Sequence, residues 1–200
     1  MTPPSFRYEQ ALYKKGCRLV AGVDEAGRGP LAGPLVAAAV ILTSRVEGLD
    51  DSKLLSSSER EKIFKIIAKE ALAIGIGVVS HKVIDRINIH CATLLAMKQA
   101  VLNLVYYPDY LLVDGKFKID VDFPQTAIIA GDKRCYSIAA ASVVAKVTRD
   151  RMMLRYHKKF PQYQFDRHKG YGTQLHLECL EKHGPSPIHR VSFAPVKELI

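Results

Sequence analysis

A short apolar run that ends on two adjacent carboxylates and a nearby arginine constrains this chain more than any other feature. Residues 19–23 have the length and composition of a buried strand, and Asp24 and Glu25 follow them directly. Carboxylates at the end of such a strand can hold a hard cation, and the guanidinium fork of Arg28 suits phosphate. The same residues also form an ordinary tight turn, because residues 35–42 are a second apolar run that returns the chain. Other segments of the chain are needed to choose between a ligand site and a plain turn.

Strand-like and helix-like patterns alternate along the chain. Strand-type runs cover residues 19–23, 35–42, 73–79, 110–113 and 126–130. Helical spacing covers residues 57–70, 89–105, 137–159 and 173–182. Ser56 and Glu59 have the spacing of a capping box, Asn88 is placed to cap the second helix, and Gly75 and Gly77 mark close approach of another element. Three early strands followed by alternating helices and strands predict an α/β fold with a mixed sheet.

Two further apolar runs lead to an aspartate, at Asp114 and Asp132. If the first and fourth strands lie side by side and parallel, Asp24 and Asp114 meet at neighbouring carboxyl ends, and Asp132 arrives from the fifth strand. A single aspartate is most often solvated, a cap or half of an ion pair. Converging carboxylates instead repel each other in a low-dielectric cleft unless cations neutralise them. Mg²⁺ suits such oxygen ligands, and Mn²⁺ can replace it.

Composition and charge restrict the class of protein. The 200 residues are 48% apolar, which is enough for one domain with a substantial core. The formal net charge of +9 favours a polyanionic partner and is compatible with nucleic acid. Neither a signal peptide nor a membrane span is indicated, so we expect a cytoplasmic protein without membrane contact. Reduced thiols are expected for the four widely spaced cysteines, which are Cys17, Cys91, Cys135 and Cys179.

Seven short motifs, taken in order, closely resemble the ribonuclease HII family over about residues 20–195. The motifs are Val23-Asp24-Glu25-Ala26-Gly27-Arg28-Gly29-Pro30, Asp51-Ser52-Lys53, Val113-Asp114-Gly115, Gly131-Asp132, Ser137-Ile138-Ala139-Ala140-Ala141-Ser142, Ala145-Lys146-Val147-Thr148-Arg149-Asp150 and His168-Lys169-Gly170-Tyr171-Gly172-Thr173. Each motif is short, but their order and spacing together are highly specific.

The resemblance implies an RNase H-like fold, with a mixed five-stranded sheet, helices on both faces and a helical C-terminal extension. It implies one catalytic domain over residues 1–200, with an N-terminal extension at about 1–16 and a helical substrate-binding segment at about 160–200. The implied activity is metal-dependent cleavage of the RNA strand of RNA–DNA hybrids, including incision 5′ to a single ribonucleotide in duplex DNA. Two Mg²⁺ or Mn²⁺ ions would leave 5′-phosphate and 3′-hydroxyl ends. The implied role is removal of ribonucleotides and RNA primers during replication and repair.

The resemblance also assigns the principal site residues. The four acidic metal ligands of the family match Asp24, Glu25, Asp114 and Asp132. The backbone of Gly27, Arg28 and Gly29 is expected to sense the 2′-hydroxyl that distinguishes RNA from DNA. Tyr171 matches the tyrosine that packs on the deoxyribose after the ribonucleotide.

Other candidates lie in or beside the matched motifs. His168 and Lys169 belong to the tyrosine motif, and His168 is placed to orient that loop. Ser142, in an alanine-rich helix, is interpreted as a small residue at a tight contact between helix and sheet. Any single lysine is more often a solvated surface charge than a ligand. With that alternative left open, the candidates for phosphate contacts are Ser52, Lys53 and Lys146.

Three rival interpretations compete with this resemblance, and the sequence argues against the first two. A DNA nuclease or integrase-like member of the wider RNase H fold would share the carboxylates but lack the ribose-sensing residues. Ribonuclease HIII carries an additional N-terminal domain and a different fourth acidic residue, whereas fewer than twenty residues precede the first strand here. The third rival is a basic nucleic-acid-binding module without catalysis. The expected partners are RNA–DNA hybrid and ribonucleotide-containing duplex DNA, bound by a monomer; residues 192–200 contain no clear clamp-binding motif.

Overall fold

The computed structural model describes residues 4–49 and 56–200, so Ser52 and Lys53 lie outside the described residues. The strands are β1 (Val20–Ala26), β2 (Leu35–Ile41), β3 (Ala73–Val79), β4 (Tyr110–Asp114) and β5 (Gln125–Ile128). The α-helices are α1 (Arg7–Tyr13), α2 (Ser57–Glu70), α3 (His81–Leu102), α4 (Tyr136–Lys159), α5 (Phe165–His168) and α6 (Gln174–His183). Short 3₁₀ turns at Gly131–Lys133, Pro161–Tyr163 and Val196–Leu199 complete these elements.

The five strands form one mixed sheet in the order β3-β2-β1-β4-β5. β1 pairs antiparallel with β2 and parallel with β4, and β4 pairs parallel with β5. Every residue of β2 is buried, as expected for an apolar strand covered on both faces. The predicted parallel pairing of the first and fourth strands is confirmed, with Val23 opposite Val113.

Helices cover both faces of the sheet, as predicted. α3 packs on one face, and α4 packs with α2 on the other. Gly75 and Gly77 allow α3 to lie against β3, because a Cβ at either residue would fall 2.0 Å from a helix carbonyl oxygen. The same is true of Gly22 on β1, where a Cβ would lie 2.1 Å from the carbonyl carbon of Ser137 at the start of α4. The predicted close approach at β3 is therefore confirmed.

Local side-chain caps explain where two helices begin. The predicted capping box is present, with the Ser56 hydroxyl accepting from the N–H of Glu59, and α2 has the predicted bounds. Asn88 also caps as predicted, since its side-chain oxygen accepts from the N–H groups of His90 and Cys91. However, a further helical segment precedes Asn88, which has φ of 66° and forms a kink within α3. The helical segment before the kink was not predicted.

The end of β5 differs from the prediction for a conformational reason. The strand was expected to reach residue 130, but it ends at Ile128. Ala130 has φ of 52°, in the left-handed region, and leads into the 3₁₀ turn. A strand cannot continue through that conformation, so the chain turns before Asp132.

The N-terminal segment packs into the core of the sheet and its helices. Leu12 of α1 is buried in one apolar cluster with residues of β1, β4 and α4. Glu9 is also buried, and its carboxylate accepts hydrogen bonds from both the N–H and the hydroxyl of Ser137. It therefore caps the first turn of α4 from a distant part of the chain. All four cysteines carry free thiols, and no helix within residues 4–49 and 56–200 is long and apolar enough to cross a membrane.

Candidate active site

Three carboxylates converge where β1 and β4 end side by side. Asp24 and Glu25 come from β1, and Asp114 is the last residue of β4. One oxygen from each carboxylate lies within 4.8 Å of the others. We call these three residues the carboxylate cluster. Its formation follows from the parallel register, which places Asp24 and Asp114 one position beyond a paired valine on each strand.

The carboxylate cluster has more negative charge than its surroundings favour. Asp24 is only 5% exposed. Its burial, together with the charges of Glu25 and Asp114, raises its pKa well above the usual range, although hydrogen bonds from Ser142 and from the Glu25 N–H oppose this. Burial also raises the pKa of Glu25, with Arg28 acting in the opposite direction from 3.5 Å. Such a group of buried oxygens is suited to a divalent cation, whose positive charge would offset the excess negative charge.

Asp132 follows Gly131, which contacts the carboxylate cluster, but Asp132 is not a member of that cluster. It is the middle residue of the 3₁₀ turn, and the N–H of the preceding Gly131 donates to Asp114 at 2.6 Å. Among the described residues, the group with mutually close ligand atoms contains Asp24, Glu25 and Asp114 and omits Asp132. The structure thus brings together three of the four acidic residues proposed from the sequence.

A cleft of about 390 Å³ opens beside these carboxylates. Its lining includes Glu25 and the turn of Gly27, Arg28 and Gly29. Gly27 has φ of 101°, and a Cβ there would lie 2.2 Å from Nε of Arg149, so only glycine fits. Gly29, in contrast, has open space around its Cβ position. The remaining lining residues are Ala26, Arg60, Ser142, Val143, Lys146 and Tyr171.

Tyr171 is a partly exposed aromatic residue in the same cleft. The residue is 40% exposed, so its ring remains accessible. The Lys146 ammonium and the Arg149 guanidinium each lie 5.6 Å from the ring centre, and Lys146 also pairs with Asp150 at 2.7 Å. Tyr171 and Lys146, proposed as substrate contacts, therefore lie in the cleft with Gly27 to Gly29.

Buried histidines hold the main chain of the Tyr171 loop. Nδ1 of His176 is 3.0 Å from the Tyr171 carbonyl oxygen, and Nε2 of His176 is 2.9 Å from Nε2 of His189. Nδ1 of His189 accepts from the N–H of Ser186 at 2.8 Å. These contacts assign one tautomer to each ring: His189 donates to His176, and His176 donates to Tyr171. Burial lowers the pKa of His176 and of His189 to about 4, which keeps both rings neutral.

His168 and Lys169, which the sequence proposes as substrate contacts, form hydrogen bonds within the protein. His168 is buried, with Nε2 2.8 Å from the Tyr163 carbonyl oxygen and Nδ1 accepting from the N–H of Gly170. The Lys169 ammonium donates to the carbonyl of Asp166. Neither residue lines the cleft. The position of His168 instead fits the predicted orienting role, and we include it with His176 and His189 in the histidine network.

Several residues of the site were not anticipated. Ser142 was interpreted as a packing residue, but it lines the cleft and its side chain hydrogen-bonds to Asp24. Arg149 and Arg190 are fully buried and donate to carbonyl groups of the segment that follows β1. The matched motif around Arg149 was a sequence signal that could have found it. Arg190 lies near the end of the chain, and no local pattern indicates its role.

Comparison with known proteins identifies the family of this chain. A family model described as Ribonuclease HII matches residues 21–196. The chain belongs to the ribonuclease HII family. Ribonuclease HII of Enterococcus faecalis is 54% identical over 196 residues, which cover 97% of this chain and 76% of that relative.

Solved structures support the same fold. The crystal structure of ribonuclease H2 from Pyrococcus horikoshii matches with a TM-score of 0.78 at 26% identity, covering 91% of this chain and 97% of that one. Ribonuclease HII of Archaeoglobus fulgidus, solved in complex with PCNA, matches with a TM-score of 0.76 at 25% identity, covering 88% and 95%. The RNase H fold expected from the sequence is confirmed. As a member of the ribonuclease HII family, the chain is a metal-dependent hydrolase of the ribonuclease H type.

Proposed function

We propose that this protein cleaves the RNA strand of RNA–DNA hybrids and incises duplex DNA 5′ to a single embedded ribonucleotide. The products would carry 5′-phosphate and 3′-hydroxyl ends. The proposed role is removal of misincorporated ribonucleotides and RNA primers in the cytoplasm, by a monomer acting on duplexes made during replication and repair. The observation that carries this proposal is one cleft in which the carboxylate cluster adjoins the Gly27–Gly29 turn and Tyr171.

The residues present fit a divalent metal. Asp24, Glu25 and Asp114 offer converging oxygens, and burial together with the charges of Glu25 and Asp114 raises the pKa of Asp24. A cation would relieve that repulsion. We propose these three residues as ligands, with Asp132 as the fourth because it adjoins Gly131, which contacts Asp114. Two Mg²⁺ or Mn²⁺ ions would supply activation of the attacking water and stabilisation of the leaving oxygen.

The protein's own groups would select and orient the substrate. Gly29 has open space around it, so the turn can approach a sugar closely, and its N–H groups can meet a 2′-hydroxyl. Tyr171 offers an accessible ring face on which a deoxyribose can pack, while Lys146 beside it can meet a phosphate. Lys53 and Ser52 remain proposed phosphate contacts on the sequence resemblance alone.

A cleavage assay with a matched pair of duplexes tests the proposal. The protein is incubated with a labelled duplex containing one ribonucleotide, and with the all-DNA duplex of the same sequence, in Mg²⁺ or in a chelator. We expect incision of the first duplex only, dependent on metal, with product ends that a 3′-hydroxyl-requiring polymerase can extend. A long RNA–DNA hybrid run in parallel measures the second expected activity.

The other outcomes identify the rival functions. Cleavage of both duplexes would indicate a DNA nuclease without ribose selection. Binding of both without cleavage in Mg²⁺ or Mn²⁺ would indicate a basic binding module. Either result would reject the proposed function.

A further inference from the structure

Arg190 is a buried charge whose hydrogen bonds converge on one short segment. Its backbone N–H donates to the carbonyl of Leu31 at 2.8 Å, and its Nε donates to the carbonyl of Gly33 at 3.1 Å. The two remaining side-chain contacts reach further back: Nη1 donates to the carbonyl of Arg28 at 2.9 Å, and Nη2 to that of Gly27 at 2.6 Å. One residue therefore fixes four carbonyl groups between positions 27 and 33.

The hydrogen bonds from Arg190 to the carbonyls of Gly27 and Arg28 determine the direction of the N–H groups in the turn. In a planar trans peptide, the C=O and the N–H point in opposite directions. Because the carbonyls of Gly27 and Arg28 point inward at Arg190, the N–H groups of Arg28 and Gly29 point away from it. The turn lines the cleft, and the Cβ position of Gly29 is open. Both N–H groups therefore face away from Arg190, on a turn that lines the cleft.

Burying Arg190 costs free energy, and its contacts need the forked geometry of a guanidinium. Arg190 is 0% exposed, and burial followed by the nearby charge of Arg149 lowers its pKa to about 9. Its side chain donates to neutral carbonyl groups, and its guanidinium lies 5.0 Å from the centre of the Phe193 ring. Burying a guanidinium is costly even when it is hydrogen-bonded. A forked donor is the side chain that can hold two successive peptide planes at once.

We propose that Arg190 is a positioning residue for ribose recognition, which holds the Arg28 and Gly29 N–H groups toward the 2′-hydroxyl. It does not touch the substrate; it acts through the main chain of the turn. Because this role rests on the proposed function of Gly27 to Gly29, its test must separate the two.

The test measures ribonucleotide selectivity in binding, apart from catalysis. In an Asp24→Asn background that blocks cleavage, fluorescence anisotropy gives the dissociation constants for a duplex with one ribonucleotide and for its all-DNA match. We expect Arg190→Lys, which keeps the charge but loses the fork, to lower the preference for the ribonucleotide duplex by about tenfold, while all-DNA affinity changes little. A thermal melt of each variant accompanies the titrations.

Tyr136→Phe is the matched comparison. Tyr136 is equally buried, and its hydroxyl donates to the carbonyl of Val46 and accepts from the N–H of Val46, but it does not line the cleft. We expect this variant to lose stability comparably and to keep most of the preference. If Arg190→Lys folds and keeps the full preference, or if both variants lose it equally, the positioning role is rejected. If the Asp24→Asn parent itself shows no preference, the proposed function of the turn fails instead.

A measurement without an Arg190 variant keeps the inference testable if Arg190→Lys does not fold. Amide hydrogen exchange of Arg28 and Gly29 is followed by NMR in the Asp24→Asn protein bound to each duplex. We expect exchange of both amides to be about tenfold slower with the ribonucleotide duplex than with the all-DNA duplex. Equal exchange in the two complexes would reject the proposed function of the turn, and the role of Arg190 would be rejected with it.

Discussion

The carboxylate cluster and the histidine network are both made of buried titratable side chains, yet they differ in how far the protein itself satisfies them. In the histidine network, each ring donor faces an acceptor, from Ser186 through His189 and His176 to the Tyr171 carbonyl. In the carboxylate cluster, burial and neighbouring carboxylates raise the pKa of Asp24 despite two hydrogen bonds to it. The first group is complete as neutral rings, whereas the second has an excess of like charge.

This difference separates a supporting structure from a ligand site. A buried polar network that is fully paired makes the local fold rigid and needs nothing further. A buried group of like charges costs stability until an ion of opposite sign arrives. Changes in the carboxylate cluster should therefore mainly lower activity, whereas changes in the histidine network should mainly alter stability.

The largest effect is expected from removing one charge of the carboxylate cluster. Asp24→Asn should lower incision by about 1,000-fold, because metal coordination supplies several kcal/mol of transition-state stabilisation. Duplex affinity should remain, and the metal-free melting temperature should stay level or rise, since one member of a repelling group is gone. Single-turnover cleavage and thermal denaturation measure both. Asp120→Asn, which alters an exposed carboxylate, is the control; an unfolded Asp24→Asn protein would show that Asp24 is structural.

The histidine network should make folding stability depend on pH. An unfolded histidine titrates near pH 6.5, whereas burial lowers the pKa of His176 and His189 to about 4. The unfolded chain therefore binds more protons between these values. The stabilisation is complete above pH 6.5 and is lost as the pH falls toward 4, by roughly 2–4 kcal/mol in total. Denaturant titrations at several pH values measure this free energy.

Two variants show whether these histidines cause the pH dependence. His189→Asn removes one of the titrating rings and should reduce the slope of unfolding free energy against pH in that window. His183→Asn changes an exposed histidine nearby and should keep the wild-type slope. If both variants keep that slope, acidic groups elsewhere are responsible.

Tyr171 joins the two regions, because its main chain is held by His176 and its ring faces the cleft. Tyr171→Ala should reduce cleavage at a single embedded ribonucleotide by about tenfold, the size expected for losing one partly buried aromatic contact. Cleavage within a long RNA stretch should fall less. Tyr171→Phe keeps the ring and should retain both activities. An equal loss on the two substrates would contradict a role at the RNA–DNA junction.

The smallest effect is expected at Lys146. Affinity for duplex should fall steeply with salt, as phosphate contacts release counterions. Lys146→Ala should lower the slope of log affinity against log salt by roughly 1, the value for one lost phosphate contact. Lys69→Ala, at an exposed position of α2 away from the cleft lining, should leave the slope unchanged. An unchanged slope for Lys146→Ala would mean that Lys146 serves only its pair with Asp150.

Much of the fold and the acidic edge could be predicted from local sequence. Ser56 and Glu59 are three residues apart, so their capping box and the start of α2 were visible in one turn of chain. The convergence of Asp24 and Asp114 followed from two apolar runs that each end on an acid and from the expectation of parallel pairing. The kink at Asn88 was only half predicted, because its cap is local but the helix before it begins at a separate cap, Ser80.

The supporting residues could not be predicted in the same way. Ser142 reaches Asp24 from α4, and the histidine network joins residues 13 positions apart only after α6 has packed. Arg190 acts on carbonyl groups, which every residue carries, so its acceptors have no sequence signature. Such contacts depend on tertiary packing between segments, and short-range patterns do not contain that information.

The distance along the chain between Arg190 and its acceptors has a consequence for synthesis. The hydrogen bonds to Arg28 and Gly27 span 162 and 163 residues. Domains fold during synthesis, and the three residues of the carboxylate cluster are synthesised well before Arg190. A nascent chain thus holds every residue of its proposed metal site before it holds the residue that sets the ribose-reading turn. On the proposed role of Arg190, the turn that reads the ribose can be held in place only after residue 190 has been synthesised.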